Sequence, residues 1–98
     1  MSRRVYISGA ITGVKDYSIR FCEAENYLKE KGYGVVNPIY MDSVMSSADY
    51  EDYMRVDLFL LGMCDAIYML EGWENSRGAN REYGYALAKG MDIMFERE

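Results

Sequence analysis

The sequence predicts an α/β domain: a three-layer, flavodoxin/Rossmann-like arrangement of about four parallel strands with alternating helices. Three observations predict it. Short β-branched and aromatic runs alternate with longer segments whose apolar residues recur at helical spacing. Glycines stand where helices should stop, at Gly32 and Gly90. The run from Asp65 to Leu70 (DAIYML) is continuous and apolar but for its first residue, as expected of a strand covered on both faces.

Taken in order, Arg4 to Ser8 (RVYIS) reads as a buried first strand halted by Gly9. The loop from Gly9 to Gly13 has two glycines and can bring backbone close to a ligand. Asp16 is placed to cap a helix running to about Lys31, with an expected apolar stripe of Ile19, Cys22, Ala24, Tyr27 and Leu28. Tyr33 to Asn37 is a second strand, ended by Pro38, and a loop rich in Ser and Asp continues to Ala48. Asp49 or Ser47 caps a second helix to about Met63. After the third strand, Glu71 to Asn75 form a loop, Ser76 opens a third helix ending at Lys89, and Met91 to Phe95 close the sheet. This β-α-β-α-β-α-β order implies parallel strands and right-handed crossovers. Ligands in such sheets sit outside the carboxyl ends of the strands, here Ser8 to Gly13, Asn37 onward and Leu70 to Ser76.

The 98 residues make one domain, 1–98, of ordinary globular composition, half apolar and 28% charged. A net charge of −5 with no basic stripe argues against a polymeric nucleic acid partner, while a small anionic ligand at a helix N-terminus stays open. Ten tyrosines and eight methionines read mainly as core, with a remainder for a pocket or a subunit interface. A homodimer or higher homo-oligomer is expected. Cys22 and Cys64 have no metal-site spacing and the chain has no histidine, so no metal and no cofactor are expected, and both thiols read as reduced and buried. No segment approaches the roughly 20 apolar residues of a membrane span, and the amino-terminal run is too short for a signal peptide. The expectation is a cytoplasmic protein with no membrane partner. Without histidine, proton transfer falls to carboxylates, tyrosines or hydroxyls.

Two carboxylates stand out by position. Stepping by three and four along the apolar stripe of the second helix, from Met54 to Leu61, passes through Asp57. On the third helix the small face of Ala79 and Ala86 includes Glu82. Unpaired carboxylates are costly to bury, so inward ones are functional-site candidates. The plainer alternative is that each leans out to water or pairs with Arg55, Arg77 or Arg81. Ser76 can serve only as a helix N-cap. Alternatively Asn75-Ser76-Arg77-Gly78 forms a phosphate cradle from a hydroxyl, free N–H groups and a guanidinium. Trp73, between Gly72 and Glu74, can cover the core or stack on a base.

Tyr6-Ile7-Ser8-Gly9, the segment from Asp57 to Asp65 (DLFLLGMCD) and the segment from Ser76 to Ala86 (SRGANREYGYA) together resemble the nucleoside 2-deoxyribosyltransferase superfamily over nearly the whole chain. With Gly72 to Ser76 (GWENS), the form looks most like a small bacterial and phage branch catalogued mainly as a domain of unknown function. It is also similar to the 2′-deoxynucleoside 5′-monophosphate N-glycosidases. The resemblance implies cleavage or transfer of the N-glycosidic bond, with Glu82 as nucleophile at C1′, Asp57 assisting protonation of the leaving base, and Tyr6 positioning sugar and nucleophile. It implies ligand contacts from Ser8, Gly9, Ala10, Ile11, Trp73, Ser76, Arg77 and Gly78. Ser76 matches the phosphate-contacting serine of the monophosphate hydrolases, where transferases acting on free nucleosides carry aspartate. Ala10 and Thr12 stand where those hydrolases carry serine and arginine. Retaining glycosidic chemistry uses two carboxyls about 5 Å apart whose environments push their pKa values apart. The rival readings are a nucleotide-binding or sensing module without chemistry, and an interaction protein with a vestigial site.

Overall fold

The structure, a computed structural model, describes residues 3–96. Its elements are β1 (Arg4–Ser8), α1 (Tyr17–Glu30), β2 (Gly34–Val36), α2 (Tyr50–Gly62), β3 (Ala66–Met69), α3 (Arg77–Lys89) and β4 (Asp92–Phe95), with 3₁₀ turns at Pro38–Met41 and Trp73–Asn75. The four strands form one parallel sheet in the order β2-β1-β3-β4. Tyr6 is in register with Val36 on one side and Ile67 on the other. The chain leaves β1 for one edge and then crosses back to β3, so the switch of strand order falls between β1 and β3. Among the described residues no helix is long and apolar enough to cross a membrane.

Alternation along the strands sorts the core into two layers. Val5 and Ile7 face α1, packing with Phe21, Ala24 and Leu28 and with Ala66, Tyr68 and Leu70. Tyr6, Ile67 and Met69 face the opposite way, against Leu61 of α2 and Ala79 and Ala86 of α3. Ser8 shares the parity of Tyr6 and is likewise buried. The sheet thus aims its polar positions, Tyr6 and Ser8, at α2 and α3.

Local chemistry explains most element ends. Asp49, not Ser47, caps α2: its side chain accepts from Asp52 N at 2.9 Å while Asp52 accepts from Asp49 N at 3.2 Å. Gly90 closes α3 in the left-handed conformation. The expected loop after β2 contains the Pro38–Met41 turn, capped by Asn37, whose side chain accepts from Ile39 N at 3.3 Å.

The first helix departs from expectation. Asp16 occupies the N-cap position but makes no side-chain cap, because its backbone (ψ 27°) is not extended enough to present the carboxylate to the first turn. The buried stripe is Phe21, Ala24, Glu25 and Leu28, while Ile19, Cys22 and Tyr27 are exposed. Phe21 and Leu28 are the larger wedges against the sheet, and Glu25 is admitted because donors surround it. Asn37 Nδ2 and Tyr40 Oη both donate to its Oε1 at 2.9 Å, and Lys29 Nζ lies 2.6 Å from Oε2. The cysteines are free, Cys22 exposed and Cys64 half-buried rather than both buried.

Gly9 shows why β1 ends where it does. A Cβ there would lie 2.9 Å from both Cβ and Cδ1 of Leu70, which is fully buried. Gly9→Ala should therefore cost about 1–3 kcal/mol by overpacking, measurable as a lower urea midpoint at unchanged m-value.

Candidate functional site

A cleft of about 770 Å³ opens at the carboxyl ends of β1 and β3, a volume suited to a small organic ligand. One wall is the loop Gly9–Thr12 with Ile7, Tyr17 and Phe21; another is Pro38 and Asp42 after β2. The third is Tyr50, Tyr53, Met54 and Asp57 of α2, facing Asn75 to Ala79 and Glu82 at the start of α3.

Glu82 reaches the cleft floor because α3 buries Ala79, Glu82 and Ala86, and the two small alanines let the helix lie close on the sheet. Its side chain meets the inward hydroxyls of β1. Tyr6 Oη donates to Oε2 at 2.7 Å, and Ser8 Oγ donates to Oε1 at 2.6 Å. The residue is 5% exposed. Burial pushes its pKa up to about 7, against the two hydroxyl hydrogen bonds that favour the anion, and the Asp57 charge adds to the rise. Burial and the Glu82 charge hold Tyr6 well above the usual tyrosine range, so it stays a donor.

Asp57 lies half-buried on the α2 wall. Burial, and then the charge of Asp42, lift its pKa to about 6. The arginines that could have neutralised these acids are engaged elsewhere. Arg55 pairs with Asp52 at 3.1 Å, and Arg81 and Arg77 approach Glu51 at 3.0 and 3.8 Å. Among the described residues neither Asp57 nor Glu82 has an ion-pair partner. The boundary reading by arginine pairing therefore fails. The expectation that the two pKa values are pushed apart is also corrected: shared burial raises both, Glu82 to about 7 and Asp57 to about 6.

Ser76 is the α3 N-cap, accepting from Ala79 N at 3.1 Å, and it also lines the cleft. Arg77 beside it lies over the Tyr50 ring, 4.6 Å from the centroid, and is mostly exposed at the rim. Gly78 keeps the α2–α3 crossing close, since a Cβ there would stand 3.3 Å from Met54 Sδ. The cleft thus gathers Gly9, Ala10, Ile11, Ser76, Arg77, Gly78, Asp57 and Glu82, with Tyr6 and Ser8 behind Glu82.

Trp73 is not among the residues lining the cleft. Gly72 in the left-handed conformation starts the Trp73–Asn75 turn, and the indole lies on Tyr83 (4.6 Å between centroids) with Phe95 at 6.3 Å. Asn80 Nδ2 fixes the turn by donating to Glu74 O and Ser76 O at 2.9 and 2.8 Å. The tryptophan covers the core, which corrects its expected place among the ligand contacts. Sequence reasoning missed Tyr17, Asp42, Tyr50 and Tyr53 as cleft residues. Asp42 had one signal, its place just beyond the carboxyl end of β2; Tyr50 and Tyr53 looked like core.

Among the described residues no three His, Cys, Asp or Glu side chains are grouped to hold a metal ion. The family described as "Domain of unknown function (DUF4406)" matches residues 3–95. No curated protein matches the chain.

Proposed function

We infer that this chain, which belongs to the DUF4406 family, cleaves or transfers the N-glycosidic bond of a 2′-deoxynucleoside 5′-monophosphate or related nucleoside. Glu82 is the nucleophile. The observation that carries the reading is a buried carboxylate at a cleft floor, held by two hydroxyls and by no cation among the described residues. Such a group is expensive to maintain for structure alone.

The chemistry follows from the placement. A Glu82 oxygen attacks C1′ as the C1′–N bond breaks, and the leaving base takes a proton from Asp57. The resulting glycosyl ester is opened when water, or a second base, attacks C1′ and returns the electron pair to Glu82. Asp57, now ionised, accepts the proton of the incoming water. Tyr6 and Ser8 hold the carboxylate in one orientation, and Tyr6 keeps its own proton throughout. The α3 N-terminus, with Ser76 and Arg77, supplies N–H groups and a guanidinium for a 5′-phosphate.

A second reading, a nucleotide sensor without chemistry, draws on the same raised pKa. The raised pKa favours a neutral Glu82, which would serve simply as a hydrogen-bonding group.

The test is chromatographic base release from a panel of deoxynucleosides and their 5′-monophosphates, with and without a free acceptor base. Release, faster with monophosphates, is expected; no release from any member removes the glycosidase reading. Ser76→Asp keeps a good N-cap but sets a carboxylate against the phosphate. It should lower kcat/KM for monophosphates by about 10-fold or more while sparing free nucleosides.

A further inference from the structure

The mechanism above leaves Asp42 without a role. It follows the Pro38–Met41 turn and lines the cleft near enough to Asp57 that its charge opposes the ionisation of that residue. Tyr17 Oη donates to its Oδ2 at 3.0 Å. Among the described residues no donor reaches Oδ1. The segment bearing it is braced from behind by the Asn37 cap of the turn and by the Asn37 and Tyr40 hydrogen bonds to buried Glu25. Pro38, Tyr17 and Phe21 make the neighbouring cleft wall largely apolar, the two rings meeting edge to face. Asp42 and Asp57 thus line one cleft, with one Asp42 carboxylate oxygen unengaged among the described residues.

We propose that Asp42 reads the departing base, so that the cleft selects bases carrying an exocyclic amino group beside a ring nitrogen, of adenine or cytosine type, over their oxo counterparts. This rests on the nucleotide reading above. Adenine sets its amino group beside N7, and cytosine sets its amino group beside N3. Each offers a donor for Asp42 next to an acceptor for the Asp57 proton. Hypoxanthine and uracil replace the amino group with a carbonyl. That places an acceptor against the free Asp42 oxygen and leaves both groups unsatisfied. Sites that use a hydrogen bond in this way discriminate strongly against the analogue that lacks it. The recognition also couples to chemistry, because the ring nitrogen beside the amino group is the one that takes the proton as the base leaves.

The experiment measures binding by calorimetry to the Glu82→Gln protein, which should not turn over, and base release by the wild type. The ligands are dAMP against dIMP, and dCMP against dUMP. The amino member of each pair should bind about 10- to 100-fold tighter, with kcat/KM following the same order. Asp42→Asn keeps an acceptor for Tyr17 and turns a donor toward the ligand, so it should erase or reverse the preference. Should that variant fail to fold by circular dichroism, Tyr17→Phe, which frees Asp42 from its anchor, should reduce the preference. Equal binding within both pairs overturns the proposal, as does a preference that survives Asp42→Asn. If wild type releases no base yet shows a binding preference that Asp42→Asn removes, base reading stands and the glycosidase falls. If none of the four nucleotides binds, both fall.

Discussion

Glu82→Gln should abolish base release and stabilise the fold together. The amide cannot attack C1′, so kcat/KM should drop by about 10³-fold or more. The stability effect has the opposite sign. Burial raises the carboxyl from 4.5 to about 7 in the folded chain. Between those values the unfolded chain has released a proton that the folded chain keeps. Stability therefore declines as pH rises through that window, and above it the full cost applies, at most about 3 kcal/mol. Glutamine removes the cost and still meets Tyr6 and Ser8, whose hydroxyls can each donate or accept. Thermal melts should show the variant several degrees more stable at pH 8 and equal to wild type near pH 4. A variant inactive and less stable at pH 8 would make Glu82 a structural group. A sensor without chemistry would keep its function in this variant.

Asp57→Asn should cost about 10²- to 10⁴-fold in base release and reshape the pH profile. Wild type needs Glu82 ionised and Asp57 protonated. Their folded pKa values of about 7 and about 6 place the productive state in a narrow bell between them. Only a minor fraction of the protein holds that protonation pattern at once, and the two apparent values belong to the pair. In Asp57→Asn the alkaline limb should vanish. The one limb that remains should be the ionisation of Glu82 itself, lowered from about 7 because the charge that helps hold it up is gone. An unchanged alkaline limb would assign the acid to another group. Measuring kcat/KM from pH 5 to 9 on both proteins decides it.

Much of this arrangement was legible in the chain, for identifiable reasons. Asp57 and Glu82 announced themselves because each interrupts an otherwise apolar or small helix face, and a carboxylate there asks for an explanation. The succession of strands and helices along the chain followed from alternating periodicities and from glycines at helix ends, while the order of the strands in the sheet did not. The orientation of α1 did not, because its inward stripe contains Glu25, and the Asn37 and Tyr40 donors that make this tolerable come from a later turn. Asp42 was hidden for a similar reason. Its place just beyond β2 pointed toward the cleft, but its fixed orientation comes from the Tyr17 hydrogen bond across 25 positions. Trp73 could not be placed without the left-handed Gly72 and the aromatic neighbours that receive it. That both carboxyls are raised together depended on burial depth, which no local pattern encodes.

The alternation along β1 has a consequence for how such a chain can change. Val5 and Ile7 belong to one layer of the core, while Tyr6 and Ser8 hold Glu82 on the other side. Five residues therefore carry both a folding instruction and a reactive one, interleaved letter by letter. A single insertion or deletion within them would invert the side chains on one side of it, turning hydroxyls toward α1 or apolar side chains toward the carboxylate. Such a lineage would lose fold and chemistry in one step. The segments after the strands, Gly9 to Thr12 and the stretch around Asp42, are under no such constraint of parity. Variation there can retune which ligand enters while the interleaved strand is inherited unchanged.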